Sequence, residues 1–293
     1  MKLLIVGSGG QLGSDFVKEA NLQGHDTAAL DYPQIDITSP ESVLETVKSV
    51  RPDVIVNCAA FTAVDLCEGK QDQAFALNAD GSANLARAAK ESDALLVHIS
   101  TDYVFSGDLD RPYTEEDTPG PNSVYGKSKL EGERRIASIW NRHMIFRIAW
   151  LYGVNGNNFV KSIRRFGLKN REEGKPLRVV NDQIGSPTWT VSVCRQVLKV
   201  LDSGEYGVYH CTSEGSCSWF DFAEEIINAS GIDVRVEPCT TEEFPRPAPR
   251  PVNSVLENKK LKTLGLNIMP EWKDAFRQFL AAEKESASKG ENR

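Results

Sequence analysis

The chain has 293 residues, 40% of them apolar, enough for a packed core and about two domains at ~100–200 residues each. A net charge of −7 argues against a general nucleic-acid binder, since phosphate neutralisation needs a basic excess. No run nears the ~18 apolar residues of a membrane span and the apolar N-terminus is too short for a secretory leader, so a cytoplasmic protein without membrane contact is expected.

Lys2–Val6 reads as a first strand, followed by a glycine-rich turn and a helix over 11–22. Thr27–Leu30 is a second strand. Thr38-Ser39-Pro40-Glu41 fits a capping box with proline at the first helical position, so a helix starts there. Asp53–Asn57, Leu95–Ser100 and Ile145–Ala149 read as further strands, separated by helices over 71–90 and 123–138. These strands are near-continuous apolar runs, as in a sheet covered by helices on both faces. The alternation predicts an α/β fold built on a Rossmann-like, doubly wound parallel sheet.

After residue 152 the pattern breaks up. Helices are expected at Asn158–Lys169, Thr188–Leu201, Ser218–Ala229 and 269–284, with a short strand at Leu177–Val180. Tyr206–Cys211 reads as one more strand of the main sheet. Phe244–Pro251 (FPRPAPRP) carries four prolines, which makes it rigid and extended, and its two arginines can line a site. The charged stretch Glu283–Arg293 is expected to fray. Six cysteines without a C-x-x-C pair fit a reducing compartment. Four scattered histidines lack any ligand spacing, so no metal is expected.

Gly7, Gly10 and Gly13 follow the first strand and open a helix, giving G-x-x-G-x-x-G with Gln11 and Leu12 inside the turn. Such a turn lets backbone approach a pyrophosphate, and the helix N-terminus offers free N–H groups. Asp31 ends the second strand, where a carboxylate can hold an adenosine ribose, although a solvated loop aspartate is the rival reading. Asp36 and Ile37 lie where a loop can meet an adenine. No arginine directly follows Asp31, so NADH and NADPH both stay open as cofactors.

Tyr125 and Lys129 stand four apart, about 400° of helical rotation, and so face the same way. A cation about 4 Å from a phenol favours phenolate by up to ~4 kcal/mol at an effective dielectric of 20. Such a tyrosine can exchange a proton with a carbonyl or alcohol oxygen. Thr101, at the end of a strand in Ser100-Thr101-Asp102, can hydrogen-bond the same oxygen.

The glycine turn, the strand-end Ser/Thr and Y-x-x-x-K together resemble the extended short-chain dehydrogenase/reductases. Within them the chain is similar to the dTDP-4-dehydrorhamnose reductases. The matching segments include GGQLG at 9–13, RPDVIVNCAAFTAVD at 51–65, STDYVFSG at 100–107 and VYGKSKLEGE at 124–133. They continue with FRIAWLYG at 146–153, GNNF at 156–159, NDQIGSPT at 181–188 and RPVNSVL at 250–256.

The resemblance implies reduction of a 4-keto group on a dTDP-linked deoxysugar. Tyr125 would donate the proton, Thr101 orient the oxygen, and Lys129 bind the nicotinamide ribose. It places Asn57, Ala59 and Ala60 along the cofactor, and Thr62, Val64, Asp102, Tyr103 and Trp150 around the sugar. Trp150 has plain core as its rival reading. Asn158 and Arg250 are further candidates for the diphosphate, with a helix cap as the rival reading of Asn158. Residues 1–152 and 186–212 would bind the dinucleotide, 153–185 and 213–285 the nucleotide sugar, and 286–293 would form a flexible tail. A homodimer stays open.

Other enzymes on this scaffold are less well matched. A 4,6-dehydratase typically has Thr-Asp-Glu where this chain has Thr101-Asp102-Tyr103, and an epimerase differs downstream. A non-catalytic subunit, like the β subunit of methionine adenosyltransferase, shares the resemblance, but the intact Thr101, Tyr125 and Lys129 favour an enzyme.

Overall fold

Strands that are apolar on both faces need helices above and below, and the computed structural model, which describes residues 1–290, supplies them. β1 (Lys2–Val6) turns into α1 (Gln11–Leu22), then come β2 (Asp26–Leu30), α2 (Pro40–Val50) and β3 (Val54–Asn57). α3 (Val64–Gly69), α4 (Gln71–Phe75), a π turn over Ala76–Asp80 and α5 (Gly81–Ser92) lead to β4 (Leu95–Thr101). α6 (Val124–Ile139), β5 (His143–Ile148), β6 (Leu151–Tyr152), α7 (Phe159–Glu172), β7 (Leu177–Val180), β8 (Ile184–Gly185) and β9 (Thr188–Trp189) follow. The chain continues with α8 (Thr190–Val200), β10 (Gly207–His210), β11 (Cys217–Ser218), α9 (Trp219–Ser230), β12 (Val236–Cys239), α10 (Lys259–Thr263) and α11 (Trp272–Gly290).

Among the described residues, six parallel strands form the main sheet in the order β10-β5-β4-β3-β1-β2. The order reverses at β1, as in a doubly wound fold. Alternation along β1 divides the core. Leu3 and Ile5 face Phe16 of α1 and Val193 and Val197 of α8, whereas Leu4 faces Val43 and Val47 of α2, Leu85 of α5 and Ile136 of α6. A third apolar cluster lies apart from these and joins Val160, Ile163, Trp189, Phe222, Ile226, Phe276 and Phe279.

Three local features differ from expectation. Ser39, not Thr38, caps α2: its hydroxyl accepts from the Ser42 N–H, so the box with Glu41 does not form. The helix expected over 71–90 is interrupted by the π turn, where Asn78 reaches across to Phe61 and to Ser128 of α6. The last helix starts at Trp272 and runs to Gly290, past the 286 where a tail was expected, because Ala, Glu and Lys favour helix; 291–293 lie outside the described residues.

Candidate active site

Loops at the C-terminal ends of β1, β3 and β4 converge beside α6, where ligands bind in open parallel sheets. Gly7 has φ +77°, and a Cβ there would sit 2.7 Å from the Ala59 nitrogen. A Cβ on Gly13 would meet the Gly7 carbonyl oxygen at 2.1 Å, so α1 packs on the turn at a distance only glycine permits. The α1 N-terminus has no side-chain cap and no acidic residue in its first turn, which leaves donors at Gln11, Leu12 and Gly13 for an anion. This cradle fits a dinucleotide pyrophosphate.

Asp31 lies against the same turn. Its Oδ2 accepts from the Gly9 N–H at 2.9 Å and its Oδ1 from its neighbour Tyr32 N–H at 2.9 Å. Asp36 instead closes its own loop by accepting from the Thr38 amide and hydroxyl. Ile37 does not offer its side chain to an adenine: it is buried in the core against Gly81. Gln11 binds across to Leu151 and Asn158, tying the turn to the second half of the chain. Asn57, expected along the cofactor, turns its amide inward, accepting from the Ala59 N–H at 3.1 Å and facing His98 Nδ1 at 3.0 Å. Ala59 and Ala60 are half-buried on the loop beside Gly7.

β4 and α6 bring Thr101, Tyr125 and Lys129 together. Ser123 caps α6, its hydroxyl accepting from the Gly126 N–H at 3.1 Å, and so fixes the turn that carries Tyr125. Thr101 lies near enough to the Tyr125 side chain to favour its ionised form. Thr101 donates to Asp102 Oδ1 at 2.8 Å and accepts from the Tyr103 N–H at 3.2 Å. The Tyr103 ring meets Tyr125 edge-on at 5.6 Å. Burial pushes the Asp102 carboxyl up to about 7, against the Thr101 hydrogen bond and the nearby Ser254 hydroxyl, which lower it. Its Oδ2 has no hydrogen-bond partner among the described residues.

Lys129 lies deeper than the phenol, one helical turn further along α6. Burial raises the Tyr125 hydroxyl above its ordinary value; Thr101 opposes that rise, and Asp102, Tyr103 and Cys67 add to it. The lysine is buried, and its amine donates to the Ile99 carbonyl at 2.6 Å and lies 3.0 Å from His98 Nε2, because a buried amine takes the partners the interior offers. Burial brings Lys129 down to about 8.

Of the residues expected around the sugar, Thr62 is exposed just before α3 and Val64 opens that helix half-buried. Trp150 is held rigidly. Its φ is +47°, it stacks on Trp219 at 3.4 Å between centroids, and its Nε1 donates to the Ser254 hydroxyl at 3.0 Å. A left-handed backbone at a tryptophan is strain, of a kind that persists where surrounding structure enforces it. Ser254 in turn donates to the Ile184 carbonyl at 3.2 Å and so joins Trp150 to β8, a link invisible before the fold is known.

Two candidates are engaged elsewhere. Asn158 caps α7 by accepting from the Lys161 N–H, and its amide donates to Gln11 and Gly153. A residue with all its polar atoms so used is a cap, not a free diphosphate ligand. Arg250 pairs with Asp65 at 2.9 Å and lies 6.0 Å from the Tyr103 ring centre. Its charge is thus answered within the chain, by a carboxylate that the sequence reading did not single out.

Comparison with known proteins bears on the whole chain. A family described as "RmlD substrate binding domain" matches residues 1–285. The dTDP-4-dehydrorhamnose reductase of Mycolicibacterium smegmatis is 39% identical over 285 residues, covering 96% of this chain and 85% of that protein. A solved dTDP-4-dehydrorhamnose reductase from Clostridium acetobutylicum superposes with a TM-score of 0.93 at 46% identity, over 97% of this chain and 100% of that one. The Bacillus anthracis dTDP-4-dehydrorhamnose reductase, solved in complex with NADP, gives 0.92 at 40% identity, over 96% and 99%. Since the match spans residues 1–285, the chain belongs to the RmlD substrate-binding-domain family, that of the dTDP-4-dehydrorhamnose reductases.

Proposed function

We propose that this chain reduces the 4-keto group of dTDP-4-dehydro-L-rhamnose to give dTDP-L-rhamnose, the last step of dTDP-rhamnose biosynthesis, using NADPH or NADH. The observation that carries the reading is the juxtaposition of Tyr125 of α6 with Thr101 at the end of β4, beside the Tyr103 ring. When bound, the nicotinamide supplies the hydride that goes to the carbonyl carbon. Tyr125 gives its proton to the oxygen, and Thr101 holds that oxygen in line. A phenol whose acidity is reduced by burial stays protonated at neutral pH, which suits reduction rather than oxidation. Gly7, Gly10, Gln11, Leu12 and Gly13 would hold the pyrophosphate, with Asp31 on the adenosine ribose.

Residues 1–152 and 186–212 would carry the dinucleotide and 153–185 and 213–285 the nucleotide sugar. The separate apolar cluster, drawn mostly from the latter segments, supports that division. All six cysteines are free thiols, in keeping with a cytoplasmic enzyme. The test is nicotinamide oxidation by the purified protein with dTDP-4-keto-6-deoxyglucose, with and without a 3,5-epimerase. Epimerase-dependent oxidation is expected, and Tyr125→Phe should lower turnover by about 10²–10⁴-fold while keeping cofactor binding. Wild-type turnover in that variant would remove the proton-donor assignment, and no oxidation with either cofactor would overturn the reaction.

A further inference from the structure

The first turn of α1 is joined to the strand that follows Trp150 by a row of side-chain amides whose direction can be read. The Leu151 carbonyl can only accept, so the Gln11 amide presents its Nε2 there, at 3.3 Å. At the other end the Lys161 N–H can only donate, and it donates to Asn158 Oδ1 at 3.1 Å. The Asn158 Nδ2 is then left for Gln11 Oε1, at 2.9 Å, and for the Gly153 carbonyl, at 2.8 Å. Each contact sets a donor against an acceptor, so the row runs one way, from the N-terminus of α7 through Asn158 and Gln11 to β6.

The segment between the ends of the row is fastened to α1 as well. Asn155 donates to the Ser14 hydroxyl at 3.0 Å, and Gly156, at φ +69°, lies so near that a Cβ there would sit 3.2 Å from the Gln11 Cβ. Lys161 holds the same loop by donating to the Val154 and Gly156 carbonyls, both at 2.7 Å. In this short stretch the chain passes from a strained tryptophan to the turn that opens α1.

We propose that Gln11 is a positioning residue for the sugar: its side chain, set by Asn158, holds the Leu151 carbonyl and so keeps Trp150 in its left-handed conformation. The proposal deepens the reductase reading and rests on it for the identity of the sugar. Trp150 is at φ +47°, a conformation that persists only where neighbours over-determine it. Its own carbonyl accepts from the Thr188 N–H at 3.1 Å, which fixes the peptide that follows, and the Gln11 contact fixes the next. Its ring lies over Gly185, where a Cβ would meet it at 2.3 Å, and against Trp219. A ring packed this closely cannot follow a shifted backbone and still keep its bond to Ser254. The Gln11 main chain faces the pyrophosphate cradle while its side chain serves Trp150, so one residue acts on both ligands.

Two measurements on the full chain without cofactor test this. The five tryptophans give five indole N–H signals in a ¹H–¹⁵N correlation spectrum, and Trp150→Phe identifies that of Trp150, whose shift is set by the Trp219 ring and the Ser254 bond. In Gln11→Met this signal should move, while that of Trp140, bonded to the Ala94 carbonyl on the opposite face of the sheet from α1, should not. Asn158→Asp keeps the cap on α7 but sets an acceptor against Gln11 Oε1, so Gln11 turns its amide away from Leu151 and the same signal should move. Calorimetric titration is the second readout: in Gln11→Met the Kd for dTDP-L-rhamnose should rise about tenfold, and that for dTDP, which carries no sugar, by less than about twofold. A Trp150 signal at its wild-type position in either variant would overturn the proposal, and so would equal losses for the two nucleotides. If Gln11→Met does not fold, Asn158→Asp still decides it. Failure of the wild type to bind dTDP-L-rhamnose would refute the reductase reading, and the indole signal would still show whether Gln11 sets Trp150.

Discussion

Asp102 keeps a carboxyl in a place where its charge is expensive. Its pKa rises to about 7 from an unfolded value of about 3.9, so the folded state holds a proton that the unfolded state has released. Stability from this group is complete below about pH 4 and is lost as pH rises through 7. Between about pH 5 and 8 the wild type should lose about 2–3 kcal/mol relative to Asp102→Asn, taking ~1.4 kcal/mol per pKa unit. Urea unfolding of both proteins at the two pH values measures it, and parallel curves would show that Asp102 titrates normally. Thr101, Tyr125 and the glycines were legible in the sequence because their spacing alone carries chemical meaning. His98, Asn78, Ser254 and Asp65 were not, because each matters through a partner dozens of residues away. Asn57, Asn158 and Arg250 were credited with free polar atoms, which the fold uses internally.

α6 can carry Tyr125 to Thr101 only by lying unusually close to what surrounds it. A Cβ on Gly126 would meet the Tyr103 carbonyl oxygen at 2.1 Å, and one on Gly132 the Asn78 carbonyl oxygen at 2.3 Å. The π turn presents that Asn78 carbonyl, and the buried Glu133–Arg147 pair pins the helix to β5. Gly126→Ala should therefore cost about 1–3 kcal/mol by overpacking and lower turnover by displacing the adjacent tyrosine. Gly69→Ala, where a Cβ meets nothing within 4 Å, is the control and should stay close to wild type. Equal stability of the two variants would refute the close-packing account. The main-sheet strands were readable to within about two residues, since burial on both faces forces continuous apolar runs. The π turn was not, because Ala-rich helix and Ala-rich π turn have one and the same pattern.

The whole molecule should weaken in acid for a different reason. His210 is buried with Nδ1–H shared between the Tyr113 and Glu257 carbonyls, both at 3.1 Å, and its Nε2 has no partner among the described residues. Burial, with Arg147 nearby, holds it down at about 3. A lowered histidine contributes stability that is whole above about pH 6.5 and is lost as pH falls toward its folded value. From about pH 7 to 4.5 this amounts to about 3 kcal/mol, and His98 adds in the same direction. His210→Asn keeps a donor near the two carbonyls without the titration, so it should lose that much less over the same range in urea unfolding. An equal loss in both proteins would exclude His210 as a source of acid lability.

Trp150 and Trp219 lie face to face, 3.4 Å apart and within 4° of parallel. Two indoles so close share their electronic excitation and act as one chromophore, which should give the ultraviolet circular dichroism a paired band of opposite signs. Trp219→Phe should abolish that band. Because Trp150 is also joined through Ser254 to β8, a sugar settling on that wall would disturb the coupling, making the pair an optical gauge of occupancy that needs no label.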